Sequence, residues 1–207
     1  ADLADELHRA TAGGKRFRPA LVLASADAFG GTDEPSRWQI AASFELLHTA
    51  FLVHDDLIDN DTVRRGVTNI AGGMRQRALH LGATPVGATQ LADAAALLAG
   101  DLLLHEAQRL IAIAACAEPI RIRLLDLLDD AMLVSAAGEL ADVAHAVLSE
   151  LPETEAILAA THDKTAVYSF AAPLRAGAAL AGADAETDHA LAVCGSKLGL
   201  AYQLADD

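Results

Sequence analysis

An all-α fold is predicted by three observations: alanine and leucine dominate the chain, aromatic residues make up only 4%, and no run of alternating β-branched residues occurs. Helices are expected near residues 2–12, 19–30, 35–60, 69–81, 88–115, 119–149, 153–163, 164–182 and 185–207. Pro19, Pro35, Pro119 and Pro152 lie near four of these starts, where a missing N–H costs little. Gly30-Gly31, Gly72-Gly73 and Gly182 read as stops or turns. With no linker-like tract and no repeat, the 207 residues read as a single domain.

Composition bounds the function. At 53% hydrophobic residues with modest Pro and Gly, the chain is globular. A formal net charge of −14 argues against nucleic acid as a partner, because that ligand needs a basic surface. Asp101 interrupts the apolar stretch 94–104 and Arg175 interrupts 166–183, so no uninterrupted apolar run reaches the roughly 18 residues of a spanning helix. No signal-peptide pattern is present either. No transmembrane segment and a cytoplasmic location are therefore expected. Cys116 and Cys194 sit in apolar surroundings and are expected to be reduced core residues. The chain begins without methionine and stops at Asp206-Asp207, inside a carboxylate pattern, which is expected of a piece of something longer.

The chemistry concentrates at Asp55, Asp56, Asp59 and Asp61, followed at once by Arg64 and Arg65. Carboxylates this close repel one another unless something neutralises them. Hard divalent cations such as Mg2+ do so with oxygen ligands and bring phosphate oxygens into their remaining positions. Arginine forks suit the same oxygens. The helical period places Phe44, His48, Phe51, Asp55 and Asp59 on one stripe, with Asp56 and Asp61 pointing elsewhere, to serve through water or the neighbouring loop. The carboxylates sit at a helix C-terminus, where the helix dipole disfavours them, as expected when function dictates the residues.

Other candidates are weaker taken singly. Asp206-Asp207 follows an uncharged apolar helix and so reads as inward-facing, whereas Asp129-Asp130 reads as a solvated helix face. Gly13-Gly14-Lys15-Arg16-Phe17-Arg18-Pro19 is a basic cluster before a helix, equally readable as an anion site or a solvated turn. Lys164-Thr165 alone would be a surface pair. His54 lies off the carboxylate stripe and reads as structural. Glu139 and Asp142 are one turn apart and fit either a polar cavity or a solvated turn. No nucleophile–base triad, zinc spacing, Walker loop or dinucleotide fingerprint occurs.

Taken together, six segments resemble the trans-isoprenyl diphosphate synthases (polyprenyl synthetases) in order and context: GGKRFRP at 13–19, ELLHTAFLVHDDLIDNDTVRRG at 45–66, LLAGDLLL at 97–104, GELAD at 138–142, KTAVYSFAAPLRAGA at 164–178 and YQLADD at 202–207. The resemblance implies an isoprenoid-synthase-type helical bundle around a deep central cavity, with two aspartate-rich motifs facing across it. It also implies condensation of an allylic diphosphate (dimethylallyl, geranyl or farnesyl) with isopentenyl diphosphate. By position, Asp55 and Asp59 would bind Mg2+, with Asp206 acting from the opposite wall and up to three ions carried with bound diphosphate. Asp56 would belong to the same catalytic motif. Arg64, Lys164, Thr165 and Gln203 would hold the allylic diphosphate, and Lys15, Arg18, His48 and Arg65 that of isopentenyl diphosphate. A homodimer is expected by the same analogy.

In that family the residues four and five before the first aspartate help set product length; here they are Phe51 and Ala50. Phe51 lies one turn, roughly 5 Å, below Asp55 and would act as a floor, while Ala50 would leave space open to the side. Farnesyl or geranylgeranyl diphosphate is the expected product. The chain departs from the pattern in lacking a third aspartate beyond Asp207 and the basic segment after it, in carrying Glu139 where glutamine is usual, and in RRGVTN at 64–69. Two rival readings are disfavoured: a class I terpene cyclase by Lys15, Arg18 and Asp206-Asp207, and a non-catalytic subunit of a heteromeric synthase by the intact Asp55, Asp56 and Asp59. A ferritin-type di-metal bundle lacks its Glu-x-x-His pairs here.

Overall fold

The structure is a computed structural model that describes residues 3–31, 35–149 and 152–206. The helices are α1 (Leu3–Ala10), α2 (Phe17–Ala28), α3 (Pro35–Ile58), α4 (Ile70–His80), α5 (Pro85–Ala112), α6 (Glu118–Val147), α7 (Thr154–Thr161), α8 (Ala172–Leu180) and α9 (Ala185–Asp206). The all-α expectation holds, and most boundaries fall within a few residues of those expected. Helix α5 begins three residues earlier, at Pro85, whose ring occupies its first position.

Three local features differ from expectation. A hairpin of two-residue strands, β1 (Val63–Arg64) and β2 (Val67–Thr68), follows α3. Its pairs Val63↔Thr68 and Arg64↔Val67 leave Arg65-Gly66 as a two-residue loop. Both loop residues have positive φ (54° and 74°), the requirement of the type I′ turn that matches strand twist. Second, no turn separates 153–163 from 164–182: α7 runs into α8 through a π-helical segment, His162–Ala171. Third, Gly72 and Gly73 lie inside α4 and stop nothing. A Cβ on Gly72 would meet the Thr62 carbonyl oxygen at 2.2 Å, so that glycine serves a close approach of α4 to the incoming loop.

Backbone proximity divides the chain into two compact units, Ala1–Lys15 with Glu45–Ala107, and Arg16–Phe44 with Gln108–Asp207. The core of the first gathers Ala50 and Val53 of α3, Ile70 and Ala71 of α4, and Ala92, Ala95, Ala96, Ala99 and Leu103 of α5, with Leu3 and Leu7 of α1 packed on it. The many alanines bring these helices close with little side-chain entropy lost. Among the described residues α5 is the one helix long and apolar enough to cross a membrane, by length and composition alone. Its alanine face packs into this core.

In the second unit α2 packs on α8, and the π-helical segment is held by α6 and α9. Glycines make that fit possible. A Cβ on Gly195 of α9 would lie 2.5 Å from Ala171 Cα, and one on Gly199 would lie 2.5 Å from Ala166 Cβ. The start of α9 is fastened electrostatically. Asp184 accepts from the Thr187 N–H at 2.9 Å as an N-cap. Asp188 accepts from Arg175 Nε and Nη2 at 2.9 and 2.7 Å and pairs with Arg123 at 2.9 Å.

The Arg175 hydrogen bonds hold the Asp188 carboxyl below the ordinary aspartate range, against the opposing effect of burial and with help from Arg123. A folded pKa below the unfolded one contributes stability that is complete above the unfolded value and is lost as pH falls through the folded one. Asp188→Asn is therefore expected to cost about 2 kcal/mol at neutral pH. Its deficit should shrink below about pH 4, where the unfolded wild-type aspartate also takes a proton. Urea midpoints at pH 7 and pH 3 measure this, and equal deficits at both would refute it.

Neither cysteine is a core residue. Cys116 lies in the connection between α5 and α6, half-buried, and Cys194 is exposed on α9; both are free thiols. The apolar composition around them misled because α9 turns Cys194 outward.

Candidate active site

In the first unit the carboxylates occupy the last turn of α3 and the residues after it. Asp59 lies one residue past the helix, exposed, its N–H still bonded to the Asp55 carbonyl at 2.9 Å. Asp61 is exposed, and its N–H donates to the Asp56 carbonyl at 2.8 Å. The hairpin then folds Arg64 back onto the helix end. Arg64 Nη2 donates to Asp55 Oδ2 at 2.7 Å and Nε to Asp56 Oδ1 at 2.6 Å. Asp56, off the stripe, is thus engaged by the neighbouring loop, one of the two routes expected for it. Asp56 is 5% exposed and shares one guanidinium with Asp55, because a fork nine residues downstream can bridge adjacent carboxylates that a helix wheel separates.

Burial pushes the Asp56 pKa up despite the lowering influence of Arg64. Burial alone would depress Arg64, yet its bonds to Asp56 and Asp55 raise it above the ordinary arginine value. Asn69 secures the loop, accepting from the Gly72 N–H as the cap of α4 and donating to the Asp61 carbonyl, both at 2.9 Å.

Two further features of this unit bear on the site. Gly13 and Gly14 have positive φ, and a Cβ on Gly14 would come 3.6 Å from Glu45 Oε1 and 3.7 Å from Arg65 Nη1. The glycine loop carrying Lys15, the α3 carboxylate Glu45 and Arg65 therefore gather in one place. Glu45 was not anticipated; its only sequence signal is its place one turn before His48. Lys15 and Arg65 are exposed, and His48 is half-buried on α3. His54 packs over Gly100, its Nε2 3.5 Å from the Leu97 carbonyl and 3.6 Å from Asp101, in keeping with a structural role. Phe51 is half-buried. Ala50 is fully buried in the core with α4 and α5, so the open space expected beside it is not there.

In the second unit the π-helical segment carries Lys164 and Thr165. Lys164 Nζ lies 3.0 Å from Glu139 Oε2 and 2.9 Å from Asp142 Oδ2, so the two α6 carboxylates converge on it. Gln203 of α9 donates to Thr165 Oγ1 at 3.4 Å. Arg18, in the first turn of α2, donates to Ser169 Oγ at 2.6 Å and to Tyr168 OH at 3.3 Å. Tyr168 and Ser169 stand in the 164–178 segment, but nothing in the sequence marked them as partners of Arg18. Asp129 and Asp130 are exposed, as expected of a solvated face. Asp206 ends α9 with its side chain outside the described residues, and Asp207 lies outside them altogether.

Among the described residues no three His, Cys, Asp or Glu side chains converge as a metal site on their own. The donor set nevertheless fits Mg2+, which commonly takes one or two carboxylates and completes its shell with water and substrate phosphates. Hard carboxylate oxygens with no nearby thiolate favour that class of ion.

The family model described as polyprenyl synthetase matches residues 2–207. The chain belongs to the polyprenyl synthetase family. It is 30% identical over 202 residues to a geranylgeranyl diphosphate synthase of Sulfolobus acidocaldarius, covering 97% of this chain and 55% of that protein. It is 36% identical over 194 residues to a (2E,6E)-farnesyl diphosphate synthase of Mycobacterium bovis, covering 94% and 48%. Among solved structures, it matches a geranylgeranyl pyrophosphate synthase from Corynebacterium glutamicum, complexed with isoprenyl diphosphate and magnesium, with a TM-score of 0.91 at 27% identity over 100% of this chain and 59% of that one. The chain spans about half the length of the curated relatives it matches.

Proposed function

We propose that the protein is a trans-prenyltransferase that condenses an allylic diphosphate with isopentenyl diphosphate, giving farnesyl or geranylgeranyl diphosphate. The observation that carries this reading is the carboxylate run Asp55–Asp59 with Arg64 folded back upon it, in a chain of the polyprenyl synthetase family. The relatives named above as geranylgeranyl and farnesyl diphosphate synthases support it.

In the first unit we assign Asp55 and Asp59 to Mg2+, Arg64 to the allylic diphosphate, and Lys15, His48 and Arg65 to the diphosphate of isopentenyl diphosphate. In the second, Lys164, Thr165 and Gln203 are assigned to the allylic diphosphate, Arg18 to the other, and Asp206 to metal. Bound Mg2+, up to three ions, supplies positive charge that stabilises the departing diphosphate. The chain's cations add to that stabilisation and orient the two reactants. As the allylic C–O bond breaks, the isopentenyl double bond supplies the electrons of the new C–C bond, and a proton passes to the released diphosphate. No protein nucleophile is needed, in keeping with the lack of any triad motif. A cytoplasmic homodimer without a membrane span completes the proposal.

Incubation with isopentenyl diphosphate and geranyl diphosphate, with and without Mg2+, tests it. A longer prenyl diphosphate formed only with Mg2+ is expected. A cyclic hydrocarbon from geranyl diphosphate alone would instead indicate a cyclase, and no Mg2+-dependent product would indicate a non-catalytic subunit. Phe51 is proposed as the floor under the growing chain, so Phe51→Ala should shift the product at least one isoprene unit longer by chromatography. An unchanged product would remove Phe51 as a determinant.

A further inference from the structure

We propose that Ser169 and Tyr168 are positioning residues that fix the Arg18 guanidinium so that its Nε–H is offered to an anion; this rests on the assignment of Arg18 to a diphosphate and concerns the protein atoms that orient it. Arg18 Nη2 donates to Ser169 Oγ at 2.6 Å and to Tyr168 OH at 3.3 Å, and its Cζ lies 4.9 Å from the Tyr168 ring centroid. One edge of a planar, rigid fork is thus held by two oxygens and its face by a ring, which fixes its orientation.

The holders are themselves fixed. Ser169 is 1% and Tyr168 6% exposed, on the π-helical segment packed against α9. Both are neutral, so they orient the cation without cancelling its charge, as a carboxylate in the same place would. Arg18 Nε is buried and has no acceptor among the described protein atoms. A buried charged donor left unsatisfied is costly, and an anionic oxygen is the group that satisfies both its hydrogen bond and its charge. Arg18 would be prepared for its ligand at the expense of the free protein's stability, the arrangement expected of a preorganised binding group.

Calorimetric titration of inorganic pyrophosphate and of isopentenyl diphosphate into wild type, Ser169→Ala, Tyr168→Phe, Arg18→Ala and the Arg18→Ala/Ser169→Ala double variant tests this, with thermal melts alongside. Ser169→Ala should weaken both ligands about tenfold, or about 1.4 kcal/mol, and the near-isosteric Tyr168→Phe about threefold. In the Arg18→Ala background, Ser169→Ala should weaken them no further. In turnover assays KM for isopentenyl diphosphate should rise more than kcat falls. Wild-type affinity in Ser169→Ala and Tyr168→Phe, with loss in Arg18→Ala, would overturn the positioning role while leaving the anion assignment intact. Equal losses from Ser169→Ala in both backgrounds would overturn it as well, since Ser169 would then act independently of Arg18. Undiminished affinity in Arg18→Ala would remove the anion assignment and this inference with it. If Ser169→Ala does not fold, Tyr168→Phe alone decides.

Discussion

Gly138→Ala is expected to lower both stability and turnover sharply, although it adds one methyl group. A Cβ at this position would meet Lys164 N at 2.2 Å, Asp163 C at 2.6 Å and Lys164 Cα at 2.8 Å. All three are backbone atoms, so no rotamer change relieves the contact. The π-helical segment must retreat by roughly 1 Å to restore ordinary separation. Overpacking of this kind costs about 3 kcal/mol, which for a chain of this size lowers the melting temperature by about 9 °C. The retreat carries Lys164 and Thr165 with it. A displacement of that size in substrate-positioning groups costs about 100-fold in kcat/KM. Ala137→Ser, exposed on the same turn of α6, should change neither quantity. Melting within a degree of wild type together with full activity would show that the segment is not seated on Gly138.

The same contact explains where sequence reasoning stopped. Helix formers and prolines announced the helices outside 153–182 well, because local propensity and fold agree over most of the described residues. The continuation of α7 into α8 was not legible, since a π-helical segment is fixed by neighbours far away in sequence, Gly138 on α6 and Gly195 and Gly199 on α9. Gly72 misled in the converse way: glycine signals a stop by composition, yet here it makes room for the Thr62 carbonyl. The hairpin was hidden because its turn uses Arg65-Gly66 in place of the usual Asn-Gly. An arginine at positive φ is strained, unlike the Asn or Gly that the turn usually carries.

Among the candidate residues of each unit, types were legible and partnerships were not. The carboxylates, Arg64, Lys164 and Arg18 stand out by charge in any reading. That Arg64 would bridge Asp55 to Asp56 depended on the hairpin, and that Ser169 and Tyr168 would hold Arg18 depended on the packing of α2 beside the π-helical segment. Ala50 failed as a marker of open space because a small buried residue between packed helices is where they approach, not where they part.

Asp59→Ala and Asp56→Asn should fail in opposite ways, which makes them the sharpest test of the carboxylate run. Asp59 is exposed beyond the end of α3, and the bond that anchors it there is made by its backbone N–H, which alanine keeps. Its replacement should therefore leave stability within about 0.5 kcal/mol. If it binds metal as proposed, the same change should reduce Mg2+-dependent turnover about 1,000-fold, because charge stabilisation of the leaving group is lost. Asp56 is buried and meets Arg64 at 2.6 Å. Asparagine there removes one of the two charges that satisfy a half-buried guanidinium, but burial already works against the Asp56 charge, so the net loss is about 1.5 kcal/mol. Some of its activity loss should follow from the loosening of Arg64, so a compensating rise in Mg2+ should not restore it. Melting curves and activity titrations over Mg2+ separate the two cases. An Asp59→Ala protein as active as wild type would strip the metal role from that aspartate. An Asp56→Asn protein of unchanged stability would show that Arg64 is held by Asp55 alone.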